Sequence, residues 1–159
     1  MNKKVVFVPH CILNQNVRKY GKSNESIKEI VKFFAEANIG IIQLPCPEVE
    51  FNPILNKGFE RKENYRKYCR KISLKILKDV KNYLDKDFVV LGILGVEFSP
   101  TCGVNRIESR KKIVPGKGIL TEELETEMRK ENFQVPIISV NTNNVFSTLE
   151  KLNLLVKNS

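Results

Sequence analysis

The sequence predicts an α/β protein built on one mostly parallel sheet with helices packed against both faces. Three observations predict it. Short apolar runs alternate with segments of helical periodicity in the order β-α-β-α-β-α-β-α. The apolar runs are continuous, as expected of strands covered on both sides. The chain has 159 residues, enough for one domain with one core that buries roughly 70% of the surface the unfolded chain exposes. Residues 1–159 are therefore read as a single domain.

The first strand is residues 5–9, "VVFVP". In "NESIKEIVKFFAEANIG", Ile27, Ile30, Val31, Phe34 and Ala35 recur at helical spacing, Ser23 or Asn24 can cap the start, and Gly40 marks the end. Residues 39–44 form the second strand, followed by a loop with Pro45, Pro47, Pro53 and Gly58. From 62 to 84 the pattern is strongly helical, with Tyr65, Tyr68, Cys69, Ile72, Ile76, Val80 and Tyr83 on one stripe and basic residues opposite. Residues 88–96 are the longest strand candidate. "KKIVPGKG" reads as a basic loop containing glycine, and Thr121 as the cap of a helix "TEELETEMRKEN" with Glu122 and Glu123 at its positive end. Residues 135–140 give the fourth strand and "NVFSTLEKLNLL" the last helix. No repeat or low-complexity segment interrupts this order.

Hydrophobic residues make up 42% and charged residues 28% of the chain, an ordinary balance for a globular protein. The net charge of +9 favours anionic partners through long-range attraction, although the lysines are spread over the whole chain as on a solvated surface. No arginine-rich arm or base-stacking motif singles out nucleic acid. No secretory leader opens the chain and no apolar run approaches membrane-spanning length, so a cytoplasmic location with reduced thiols is expected. Under those conditions metal binding or catalysis is a better use of cysteine than a disulfide.

Right-handed crossovers bring the C-terminal ends of parallel strands to one edge, where ligands bind in such sheets. Cys11 follows the first strand, Cys46 the second and Cys102 the third. Three thiols distant in sequence are thus expected to meet at that edge, whereas Cys69, on the apolar stripe of a helix, reads as a small buried hydrophobe. Three thiolates suit a soft centre: zinc, Cu(I) or an iron–sulfur cluster. The sequence has neither a C-x-x-C pair nor a pair of histidines. Unless His10 serves as a fourth ligand, one coordination position stays open, as a catalytic metal requires.

The neighbourhoods of these cysteines resemble the 2-thiouracil desulfidase (thiouracil desulfurase) family. The first reads Cys11-Ile12-Leu13-Asn14-Gln15-Asn16-Val17-Arg18 followed by Gly21, and the second Cys46-Pro47-Glu48. The third is Ser99-Pro100-Thr101-Cys102-Gly103, and a later Val114-Pro115-Gly116-Lys117-Gly118 also matches. The four motifs keep the family's order over residues 5–140, leaving 141–159 as a C-terminal helix and tail. His10 before the first cysteine, Asn14 three residues after it, Lys19-Tyr20 between Arg18 and Gly21, and Glu50-Phe51-Asn52-Pro53 after the second motif mark a divergent branch.

The resemblance implies a Rossmann-like domain and a [4Fe–4S] cluster held by Cys11, Cys46 and Cys102, with one iron not bound by protein. It also implies removal of sulfur from a thiolated nucleobase or similar thiocarbonyl, giving the oxo product and hydrogen sulfide. Glu48 and Ser99 would form the acid–base pair, with Glu97 a weaker rival acid; Asn16 and Arg18 would bind a carbonyl or anionic group of the substrate or merely hold the first loop. Two other classes compete: a non-catalytic three-cysteine carrier or sensor of metal or sulfide, and a basic nucleotide- or RNA-binding module motivated by the charge and the "RKKIVPGKG" segment.

Overall fold

The computed structural model describes residues 2–18, 25–51 and 59–159. In chain order its elements are β1 (Lys4–Pro9), α1 (His10–Leu13), α2 (Lys28–Glu36), β2 (Gly40–Leu44), α3 (Pro47–Glu50), α4 (Phe59–Leu84), β3 (Val89–Val96), β4 (Arg106–Ser109), β5 (Lys112–Pro115), α5 (Ile119–Lys130), β6 (Ile137–Val140) and α6 (Val145–Lys157). Strands β2, β1, β3 and β6 form, in that spatial order, a parallel sheet. The chain is an α/β protein of Rossmann-like, doubly wound type.

The pleat of β1 separates two cores. Val5 and Phe7 pack with Cys69, Ile72, Ile76, Leu77 and Val80 of α4 and with Leu120, Leu124 and Met128 of α5. Val6 and Val8 face the other way, onto Ile12, Ile30, Phe34 and the α6 residues Val145 and Leu152. This is the alternation a strand buried on both faces must show. Truncating a fully buried member such as Ile76 to alanine would cost about 3 kcal/mol through the cavity left behind.

Several boundaries differ from the sequence expectation for physical reasons. The proposed caps Ser23 and Asn24 lie outside the described residues, as do Lys19, Tyr20, Gly21, Asn52, Pro53 and Gly58. Helix α2 is closed by Asn38, not Gly40: Asn38 takes a left-handed φ of 55° and the Ile39 amide donates to the Phe34 carbonyl at 2.9 Å. Gly40 instead opens β2. Strand β6 begins after Pro136, which has no amide to donate, although its carbonyl accepts from Ile93 at 2.9 Å.

Thr121 does not cap α5. The helix starts two residues earlier, after Gly118, and Thr121 is buried inside it. The first amides of α5 are satisfied by a distant loop: Ile119 donates to the Pro100 carbonyl at 3.1 Å and Leu120 to that of Thr101 at 2.8 Å.

The "KKIVPGKG" segment is not wholly loop. Its residues 112–115 are β5, paired antiparallel with β4 in a hairpin whose two turn residues, Arg110 and Lys111, both have positive φ (49° and 63°). That turn normally announces itself by Asn-Gly or Asp-Gly, which this sequence lacks. The hairpin is anchored to the loop after β3, where Phe98 donates to the Arg106 carbonyl at 3.0 Å and accepts from Glu108 at 2.8 Å. Among the described residues, no helix is long and apolar enough to cross a membrane.

Candidate functional site

In the strand order β2-β1-β3-β6 the winding reverses between β1 and β3. Loops leaving those two strands diverge to opposite faces and open a crevice at the C-terminal edge, the usual ligand position in doubly wound sheets. A cleft of about 1060 Å³ lies there. Cys11, Cys46 and Cys102 all line it, with Arg18, Glu48 and Ser99. Cys69, on α4, is buried in the core instead.

Cys11 sits in α1 directly after β1, half-buried. Arg18 reaches back to it, donating from Nη1 to Sγ at 3.8 Å and from Nη2 to Thr142 Oγ1 at 3.4 Å. One guanidinium therefore ties the loop after β1 to the loop after β6. Burial pushes the Cys11 thiol up, the Arg18 charge and hydrogen bond oppose this, and the neighbouring Cys46 adds to it.

Cys46 immediately precedes α3, whose first residue, Pro47, has its φ preset for a helix start. Burial raises its thiol pKa, while the amides of Val49 and Glu48 at the sulfur lower it.

Cys102 lies on a tightly held loop. A Cβ on Gly95 would sit 2.3 Å from the Cys102 carbonyl oxygen, and one on Gly118 would sit 2.2 Å from the Thr101 carbonyl carbon. Both glycines are therefore required for the loop to pass between β3 and the start of α5. Ser99 Oγ accepts from the Thr101 and Cys102 amides, each at 3.2 Å. Burial pushes the Cys102 thiol up to about 12, against the opposing Ser99 hydrogen bond. The Val-Pro-Gly-Lys-Gly motif thus has a mechanical role, since it delivers the close-packed Gly118 and the amides of α5 to the Cys102 loop.

The two glutamates differ. Glu97 is buried and accepts from the Asn105 amide at 3.0 Å, Asn105 Nδ2 at 3.2 Å, the Arg106 amide at 2.7 Å and the Ser139 hydroxyl. Burial alone would raise its pKa, but these donors hold the carboxyl below the usual range. It ties β3, β4 and β6 together. Glu48 is exposed at the cleft wall, with Oε1 accepting from Thr101 Oγ1 at 3.0 Å.

His10 also lines the cleft. Asn16 is exposed, its amide bonded to Asn14 Oδ1 at 3.2 Å, and the cleft lining at this turn comes from Val17 and Arg18. Three further residues belong to the site. Thr101 was hidden inside the third motif, Tyr65 was counted as core stripe, and Thr142 carried the one usable signal, its place just past a strand's C-terminal end.

As the side chains stand, no group of three or more His, Cys, Asp or Glu among the described residues could hold a metal ion. The donor chemistry of the cleft nevertheless fits a thiophilic group, with three thiols arriving from three different strand ends. A cluster binds each cysteine through a different iron, so its ligands need not converge on one point.

A protein of Methanocaldococcus jannaschii bearing the description "Uncharacterized protein MJ0003" is 32% identical over 161 aligned positions, covering 94% of this chain and 97% of its own length. No family model matches the chain. No solved structure matches it.

Proposed function

From the premise that this chain belongs to one family with the Methanocaldococcus jannaschii protein, we propose that it is a [4Fe–4S]-dependent desulfidase acting on a thiolated nucleobase or related thiocarbonyl. One observation carries the reading: Cys11, Cys46 and Cys102, from three successive parallel strands, line a single cleft together with Glu48. Cys11, Cys46 and Cys102 would hold the cluster. When bound, it supplies a Lewis-acid seat for the substrate sulfur at the iron that the protein leaves free.

The reaction needs no redox partner. Water adds to the thiocarbonyl carbon, the C–S bond breaks, and the oxo product and hydrogen sulfide leave. Glu48, at the cleft wall, takes the proton from the attacking water and gives it to the sulfur, then takes the second proton from the carbon-bound hydroxyl as the C–S bond breaks and passes it to the departing sulfur. Ser99 accepts two backbone amides at Oγ and so keeps its own O–H for a neighbour in the cleft, Cys102 sulfur or substrate. Arg18 anchors the first-cysteine loop and presents positive charge to a carbonyl or anionic group on the substrate.

The test is anaerobic reconstitution with iron and sulfide, followed by assay of sulfide release from 2-thiouracil and thionucleosides. The expected outcome is a brown protein that releases sulfide, with iron lost in each of Cys11→Ala, Cys46→Ala and Cys102→Ala and retained in Cys69→Ala. Undiminished iron in the three site variants defeats the ligand assignment. A cluster without sulfide release from any substrate favours a carrier or sensor instead. The basic hairpin, with Arg106, Arg110, Lys111 and Lys112 exposed beside the cleft-lining Glu108 and Ile113, supports a second reading as a nucleotide- or RNA-binding module. Salt-sensitive RNA binding that ignores loss of the cysteines would favour it.

A further inference from the structure

We infer that Tyr65 and Thr101 are positioning residues for Glu48, acting through a chain of hydroxyl hydrogen bonds that runs from helix α4 across the third-cysteine loop to the carboxylate at the cleft. The inference rests on the desulfidase reading only for its catalytic consequence.

The geometry is continuous. Tyr65 OH lies 2.7 Å from Thr101 Oγ1, and Thr101 Oγ1 donates to Glu48 Oε1 at 3.0 Å. Thr101 has one hydroxyl proton and a carboxylate only accepts, so that proton goes to Glu48 and Tyr65 must donate to Thr101. Burial raises the Tyr65 phenol, which keeps its proton for that purpose. Behind it lies the Cys69 thiol, itself pushed up to about 12 by burial. Hydrogen bonds aligned head to tail polarise one another.

The chain is also anchored mechanically. Thr101 is only 4% exposed, and its carbonyl accepts the Leu120 amide at 2.8 Å. The Tyr65 ring packs edge-on against Phe51, with centroids 5.1 Å apart. Glu48, by contrast, sits on the single-turn helix α3 and is exposed. Among the described residues Oε1 alone of its carboxylate oxygens carries a hydrogen bond. Fixing that oxygen from a buried side leaves Oε2 available to water or substrate in the cleft.

The experiment compares Tyr65→Phe, Thr101→Val and Thr101→Ser with the parent by two readouts. In the intact chain without iron, the side-chain order of Glu48 is measured by carbon relaxation of its methylene groups. It is expected to fall in Tyr65→Phe and Thr101→Val and to be retained in Thr101→Ser. In the iron-loaded protein, Tyr65→Phe is expected to lower kcat for sulfide release about fivefold, the net worth of one neutral hydrogen bond expressed as a rate. KM and iron content should not change, and Thr101→Ser should stay near the parent where Thr101→Val does not.

Unchanged Glu48 order in Tyr65→Phe overturns the inference, whether or not the parent releases sulfide. Unchanged kcat in Tyr65→Phe, when Glu48→Gln is inactive, also overturns it. A parent that binds iron but releases no sulfide sinks the desulfidase reading alone, because the order measurement still decides the positioning. Should Thr101→Val fail to fold, Tyr65→Phe, which removes one oxygen and leaves the ring contact in place, carries the test.

Discussion

The segment bearing Cys102 and the segment bearing Cys46 reach the same cleft by opposite means. The first is held on every side. Gly95 and Gly118 admit it between β3 and α5, α5 begins by donating to its carbonyls, and Ser99 closes its turn. Glu97 fastens its flanks to β6 through Ser139. The brace extends outward, because Glu123 of α5, 5% exposed at its side chain, meets Arg66 and Arg70 of α4, each at 3.0 Å. The second segment is one helical turn with Glu48, Val49 and Glu50 exposed, attached to the body by Tyr68 OH donating to Glu50 at 2.8 Å, by Thr101 donating to Glu48, and by the Phe51 ring at its end packing against Tyr65 and Tyr68. The difference teaches that the cleft has a fixed wall and a lightly tethered wall, and that the tether at Glu48 comes from the fixed wall itself.

The contrast can be broken most forcefully at Gly118. Gly118→Ala drives a methyl group into the Thr101 backbone and is expected to cost about 3 kcal/mol in urea unfolding. Val49→Ala, on the exposed turn, should stay within about 0.5 kcal/mol. Equal costs would mean that the two walls are held alike.

Glu97→Gln comes next, at about 2 kcal/mol near neutral pH, since it weakens a buried carboxylate served by several donors. Its pH dependence has a definite sign. The folded carboxyl lies below its unfolded value of about 4.3, so its contribution is complete above that pH and is lost as pH falls through the lower folded value. The gap between parent and Glu97→Gln should therefore close on acidification, as read from urea midpoints across the acid range.

A smaller effect is expected at Arg18. Removing its charge in Arg18→Gln leaves burial of Cys11 less opposed, raises the thiol further and reduces the thiolate fraction. Alkylation of Cys11 in the metal-free protein should slow on the order of threefold at mildly alkaline pH. Smallest of all, Tyr68→Phe deletes the exposed bond to Glu50 and should change stability by less than about 0.5 kcal/mol. A larger loss would show that the lightly tethered wall depends on that bond.

These contrasts also mark what could be read from the sequence. The four sheet strands were legible because continuous apolar runs leave few alternatives, and the meeting of three cysteines at one edge followed from strand direction alone. The hairpin was not legible, because Arg110 and Lys111 occupy a turn that residue preferences assign to Asn and Gly. The start of α5 was missed because its cap is tertiary, supplied by Pro100 and Thr101. The sequence made Glu97 a weaker rival to Glu48 without saying what it does, and the donors gathered from Asn105, Arg106 and Ser139 give it a structural part apart from the carboxylate at the cleft wall. Tyr65 joined the site only through a hydroxyl contact between segments remote in sequence.

The reversal of winding between β1 and β3 has a consequence for assembly. The sulfurs are gathered by strands β1, β2 and β3, whose pairings are non-local, so they become neighbours only after the central sheet has formed. An extended chain offers three scattered thiols and nothing to chelate with. Any occupant that engages all three selects the native state over the denatured ensemble, and mass action converts its affinity directly into resistance to unfolding. Any such occupant would therefore be loaded last, onto a finished scaffold.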